Sequence, residues 1–115
     1  MKAYTDLEQS RKLAEILPIE SADMCYIQDL LAGLKYGEYQ PYIGSDLIPA
    51  YGQGKIRCWS LAALLEILRN NGRYELQLWD GGYTFEANGF MTESYLNPID
   101  ACYEMILSLH ERELL

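Results

Sequence analysis

The apolar positions of this chain recur with two different spacings, one helical and one alternating, and the switch between them marks out its elements. Leu7, Leu13, Ala14, Ile16 and Leu17 supply the apolar side of a first helix. Thr5 is placed to cap it, with Glu8 three positions on to reach back to the Thr5 amide as a capping box. Pro18 ends it, because the residue before a proline is pushed out of the helical region. A second helix is predicted over Trp59 to Leu68, WSLAALLEIL, with Ser60 as cap and Asn70, Asn71 and Gly72 as its stop. Only Glu66 interrupts its apolar surface between Leu61 and Leu68, so it is expected to pack on more than one side and to form the centre of the core. The third helix has a cap at Asn97, Pro98 at its first position and Asp100 in its first turn, where the helix dipole favours an acid. Ile99, Cys102, Tyr103, Ile106 and Leu109 then repeat every three or four residues.

Strand periodicity is plainest from Tyr74 to Asn88, which reads as a hairpin around Asp80, Gly81 and Gly82. Leu76, Leu78, Tyr83, Phe85 and Ala87 share one face and Trp79 lies on the other. With Gly81 and Gly82 as the loop, Leu78 faces Phe85. With Asp80 and Gly81 as the loop, Glu75 lands opposite Glu86. Opposed like charges cost stability, so the first register is preferred. Met24 to Gln28 fits either a strand or a helix continuing through Leu30, Leu31 and Leu34, and the hairpin's need for partners favours the strand. Gly33 to Gly54 carries five glycines, two prolines and four tyrosines, so turns dominate, with short extended pieces around Glu38 to Ile43 and Lys55 to Cys58. The path of residues 29 to 54 stays open. These elements predict one α+β domain spanning residues 1 to 115: three helices packed with a small, mostly antiparallel sheet.

The chain has 115 residues, half of them apolar, which suffices for a core without disulfides or a structural metal. Its net charge of -8 is uneven, since residues 1–30 and 91–115 are acidic while residues 31–60 are nearly neutral. A general phosphate-binding surface, and hence direct nucleic-acid binding, is disfavoured, and Lys55, Arg57, Arg69 and Arg73 read as solvated surface. The amino-terminal segment resembles neither a signal peptide nor a transit peptide, and no apolar stretch approaches the roughly 20 residues that cross a bilayer. A cytoplasmic protein without a membrane role is expected. Cys25, Cys58 and Cys102, odd in number and far apart, suit reduced, buried thiols. With His110 they are too scattered for a zinc site, and neither a metal nor a cofactor is expected.

Three phrases stand out together: LPIESADM at Leu17 to Met24, CWSLAALLEIL at Cys58 to Leu68, and NPIDACYEMILSLHE at Asn97 to Glu111. Their combination resembles short, uncharacterised proteins encoded by prophages and mobile elements of gut bacteria. What the resemblance implies is a cytosolic accessory protein with a variable middle segment, and no catalytic residue is carried over by it.

Three chemistries compete on the residues themselves. Cys58 precedes a helix whose dipole could lower its thiol pKa, and Cys58 with Trp59 resembles two residues of the nucleophile segment of papain-type proteases. That segment's flanking glycine and second cysteine are missing, and His110 is the one imidazole that could serve as base. A buried structural cysteine is the plainer reading. Glu75 with Glu86, and Asp80 beside the glycines, are explained by a solvated face and by turn chemistry. The tyrosines Tyr36, Tyr39, Tyr42 and Tyr51 are the better lead, because such rings bury area while losing few rotamers. Trp79 joins them if its hairpin face is uncovered. The expectation is a non-enzymatic module that binds a protein partner through this tyrosine-rich segment. An acidic nucleic-acid mimic that binds a basic host protein is the second reading, and a thiol hydrolase using Cys58 the third.

Overall fold

In a computed structural model the two periodicities become three α-helices and six strands among the residues described, 2–28, 40–43, 53–70, 74–79, 81–87 and 90–115. The expected α+β class holds, and all four strand pairings are antiparallel. The strands form two three-stranded sheets where one had been expected. Each half of the chain supplies its own third strand, so the hairpin does not draw on the strand at Met24–Gln28. The backbone correspondingly falls into two compact units, Asp6–Trp59 and Met1–Thr5 with Ser60–Leu115.

The first unit opens with α1 (Leu7–Ala14) and a single 3-10 turn at Ile19–Ser21, followed by β1 (Met24–Gln28), β2 (Gln40–Ile43) and β3 (Gln53–Cys58). The capping box of α1 lies one residue later than expected. Asp6 accepts from the Gln9 amide at 2.8 Å and the Gln9 side chain accepts from the Asp6 amide at 3.2 Å, while Thr5 is buried. The helix also stops at Ala14, well before Pro18, because the amides of Ile16 and Leu17 both turn back to the Leu13 carbonyl. That early exit lets Leu17 be buried.

Strand order is β2-β1-β3, and α1 packs on β3. Pro41 lacks the amide an interior ladder requires, and it sits on the edge strand β2, opposite Tyr26. Met24, Cys25 and Tyr26 are consecutive and all buried, so both faces of β1 are covered. Trp59 is fully buried and its indole Nε1–H donates to Ser21 Oγ at 2.9 Å, which satisfies its one polar group.

The second unit holds α2 (Leu61–Asn70), β4 (Tyr74–Trp79), β5 (Gly82–Ala87), β6 (Phe90–Met91) and α3 (Pro98–Glu111). Ser60 Oγ caps α2 by accepting from the Ala63 amide. Of the residues of α2, only Leu64 and Leu68 are fully buried; Leu61, Leu65 and Ile67 are half-buried shoulders. The expected central role falls instead to α3, which packs on both α2 and β5. Seven of its residues, Pro98, Ile99, Ala101, Cys102, Met105, Ile106 and Leu109, are buried. At about 100° per residue they occupy one continuous side of the helix. Its predicted start is as read: Asn97 Oδ1 accepts from the Ile99 amide at 2.8 Å.

The hairpin takes the register with Glu75 opposite Glu86, contrary to the preference drawn from charge. Trp79 pairs with Gly82 and Leu78 with Tyr83, and Gly81 takes the left-handed turn conformation at φ 81°. The third lane decides the matter. Thr92 exchanges hydrogen bonds with Phe85, and the Tyr83 and Tyr95 backbones bond to each other reciprocally. Thr92 to Tyr95 spans one residue more than Phe85 to Tyr83, so the lane bulges at Glu93–Ser94. The bulge brings Ser94 over Gly82, where a Cβ would overlap Ser94 Oγ. Opposed acids cost at most about 1 kcal/mol, and the Gln77 amide softens this by donating to Glu75 Oε2 at 2.6 Å.

Two stability measurements check this picture. Gly82→Ala is expected to cost about 1 kcal/mol in urea unfolding, and most of that loss should vanish in Gly82→Ala/Ser94→Gly; additive losses would show that Ser94 is not the obstacle. Ile106→Ala should cost about 3 kcal/mol and Leu65→Ala about 1 kcal/mol or less, an order that reverses if α2 is the true centre.

Candidate functional site

The residues singled out for thiol chemistry are placed unfavourably for it. Cys58 ends β3 opposite Met24, with α2 beginning only at Leu61, and its side chain is fully buried. Burial, reinforced by Cys25 and Asp23, pushes its thiol from the ordinary 9.0 up to about 12. The helix dipole was expected to act the other way. Cys102, buried in α3, is likewise pushed up to about 12 by burial. His110 is exposed in the last turn of α3, where a base complements the helix dipole. Among the described residues no group of three or more His, Cys, Asp or Glu is arranged to hold a metal ion.

Of the expected tyrosine surface, Tyr36, Tyr39 and Tyr51 lie outside the described residues. Tyr42 sits in β2 opposite Cys25, and Trp79 ends β4 opposite Gly82; the side chains of both lie outside what is described. The edge position of Tyr42 places it on a strand with one ladder among the described residues.

The structure instead assembles a row that sequence reading had only half seen. Residues directly paired in an antiparallel ladder point to the same face, so Leu78 on β4, Tyr83 on β5 and Tyr95 in the third lane stand side by side. They share this face with Phe85, which is fully buried where β5 meets α3. Towards the turn the cover ends: Leu78 is 66% exposed, Tyr83 and Tyr95 are half-buried, and Leu96, just beyond Tyr95, is 85% exposed. Alternation had already put Leu78 and Tyr83 on one face. Tyr95 and Leu96 follow a bulge and precede a helix, so no period marks them.

The outer side of α3 carries a line of acids. Asp100, Glu104 and Glu111 are four and seven residues apart, so they fall within about 40° of one another on α3, on the side away from its buried arc. Glu93 approaches from the bulge. Burial, then Asp100, Glu111 and Glu93, holds the Glu104 carboxyl above its ordinary value, and burial with Glu104, Glu93 and Asp100 does the same for the Tyr95 phenol. Lys2 Nζ meets Asp100 Oδ1 at 2.7 Å. No other cation among the described residues is within ion-pairing distance of Glu93, Glu104 or Glu111.

The chain matches no protein-family model, no curated protein and no solved structure.

The thiols provide a direct check. At pH 8 iodoacetamide should label native Cys58 and Cys102 about a thousandfold more slowly than the unfolded chain, from thiolate fraction alone. The sign of the accompanying pH effect is fixed, because the folded state keeps protons that the unfolded chain releases above its ordinary thiol pKa. Stability should therefore fall as pH rises from 9.0 towards about 12, and Cys58→Ala should flatten that fall. Labelling of native Cys58 at the rate of a free thiol would contradict the assignment.

Proposed function

We propose that this protein is a binding module which acts by contact with a protein partner. The reading rests above all on the exposure of Leu78 beside half-buried Tyr83 and Tyr95 on one face of the sheet, with Leu96 exposed next in sequence; Met91 and Leu114 are the other large apolar side chains exposed among the described residues of this unit. Isolated exposed leucines are ordinary, but a tyrosine-flanked row that continues a buried sheet face is the composition of an interface centre. The tyrosine-rich segment with Tyr36, Tyr39, Tyr42 and Tyr51, together with Trp79, is proposed as a further part of the contact surface.

Thiol hydrolysis is the weaker reading, since a neutral, buried Cys58 is a poor nucleophile. No helix among the described residues is long and apolar enough to cross a membrane. A cytoplasmic accessory protein, as the resemblance to prophage and mobile-element proteins implies, is the setting proposed. Mimicry of nucleic acid draws its support from the acidic line on α3.

Capture from bacterial lysate with quantitative mass spectrometry tests the proposal when three baits are compared: the native chain, Leu78→Ser/Leu96→Ser, and Tyr39→Ala/Tyr42→Ala. At least one protein should be retained by the native chain and lost by about tenfold or more on a surface variant that still folds. Identical captures by all three baits would overturn it.

A further inference from the structure

We infer that β4 is an open sheet edge which takes up an extended segment of another protein as a further antiparallel strand, with a lysine or arginine of that segment set against Glu75. This rests on the binding-module reading and names the edge that is used and the chemistry of what it takes.

The first observation is where the backbone of β4 points. On β5, Phe85 and Tyr83 spend their amides and carbonyls on the third lane: Phe85 donates to Thr92 Oγ1 and accepts from the Thr92 amide, and Tyr83 bonds reciprocally with Tyr95. Leu76 and Leu78, which stand opposite them, therefore form non-hydrogen-bonded pairs with β5 and aim their own amides and carbonyls out of the sheet edge. No backbone group meets these among the described residues, and β5 is the one strand paired with β4 there. Leu78 is exposed and Leu76 half-buried, so the edge is open to water at Leu78. Outward ladder groups at strand spacing are matched by one thing, an extended backbone.

Second, the other described edges carry features that keep strands from adding, and β4 does not. β2 contains Pro41, β3 contains Lys55 and Arg57, and β6 is two residues long with the Glu93–Ser94 bulge after it. β4 runs six residues in unbroken register with no proline. Its single charge selects the guest. Glu75 is exposed and stands opposite Glu86, so a strand added at this edge sets one residue directly against Glu75, on the same face and in line with both carboxylates. A lysine or arginine there complements two acids, while apolar residues opposite Leu76 and Leu78 extend the rows that begin at Phe85 and Tyr83. A second copy fits less well: β4 holds no lysine or arginine to set against Glu75, and the copy adds a further net charge of -8.

The probe is a capped heptapeptide in which threonine and valine alternate and lysine replaces the third threonine. In antiparallel register its first two valines meet Leu78 and Leu76, and its lysine meets Glu75. One control carries glutamate for the lysine, and another is N-methylated at those two valines. Titrated into the 15N-labelled full chain, the lysine peptide should slow hydrogen exchange at the Leu76 and Leu78 amides by about tenfold or more. Affinity should fall about fivefold with glutamate for lysine, and Glu75→Lys should reverse that preference. Glu75 is exposed and opposed by an acid, so this variant should fold; unchanged spectral dispersion verifies it. N-methylation, which removes two ladder donors, should abolish binding. No protection of Leu76 and Leu78 up to millimolar peptide, equal binding of the N-methylated peptide, or a preference that Glu75→Lys leaves unchanged would overturn the inference. A dimer in sedimentation that is lost in Leu78→Pro, where proline removes an outward amide, would overturn it in favour of a second copy. Lysate partners lost with Leu78→Ser/Leu96→Ser but kept by both Glu75→Lys and Leu78→Pro would sink the added strand while leaving the binding module standing. Peptide pairing at β4 with no lysate partner dependent on it would do the opposite.

Discussion

The reciprocal backbone pair between Tyr83 and Tyr95 is the constraint on which the hairpin unit depends. It requires the chain to bulge at Glu93–Ser94, and the bulge is admissible because Gly82 has no side chain where Ser94 passes. Once Tyr83 is committed to Tyr95, its amide and carbonyl are unavailable to β4, so Leu78 faces it as a non-hydrogen-bonded pair. Trp79 must then close on Gly82, and Gly81 supplies the positive φ. Two residues beyond Tyr95, Asn97 caps α3 and starts the helix whose apolar side covers Phe85. One backbone pairing thus sets the register of the hairpin, the origin of the central helix and the place where cover over the sheet face ends.

The division of α3 into two sides carries the same consequence into electrostatics. Seven buried residues on one side leave Asp100, Glu104 and Glu111 on the other, and the bulge adds Glu93. Acids so grouped are a cost to the isolated fold, offset at one point by Lys2. The thiols tell the opposite story. Cys58 and Cys102 are held neutral by burial, a state that suits packing and opposes nucleophilic attack.

How legible this was depended on whether the governing interaction is local. The Asn97 cap, the Pro98 start and the apolar repeat of α3 are interactions within a few residues, and they stand where the pattern put them. The strand at Met24–Gln28 was preferred as a partner for the hairpin, and it does form, but its partners are β2 and β3, which no local pattern marks as such. The register was misjudged because the visible cost, Glu75 against Glu86, is small and local, whereas the deciding contact joins Gly82 to Ser94. The centre of the core was misplaced for a related reason: α2 is richer in leucine, but α3 packs on two elements, α2 and β5. Of the row on the hairpin, alternation revealed Leu78 and Tyr83, while Tyr95 joins it only through the bulge. Tyr36, Tyr39 and Tyr51 lie outside the described residues, so the fold does not bear on them.

Cross-strand NOEs on the full chain probe the register most directly, since every placement in the hairpin unit follows from it. Contacts from Leu78 Hα to Tyr83 Hα, and from the Tyr83 amide proton to that of Tyr95, are expected together. Leu78 paired instead with Phe85, with no contact between Tyr83 and Tyr95, would contradict the row, the bulge and the surface built on them.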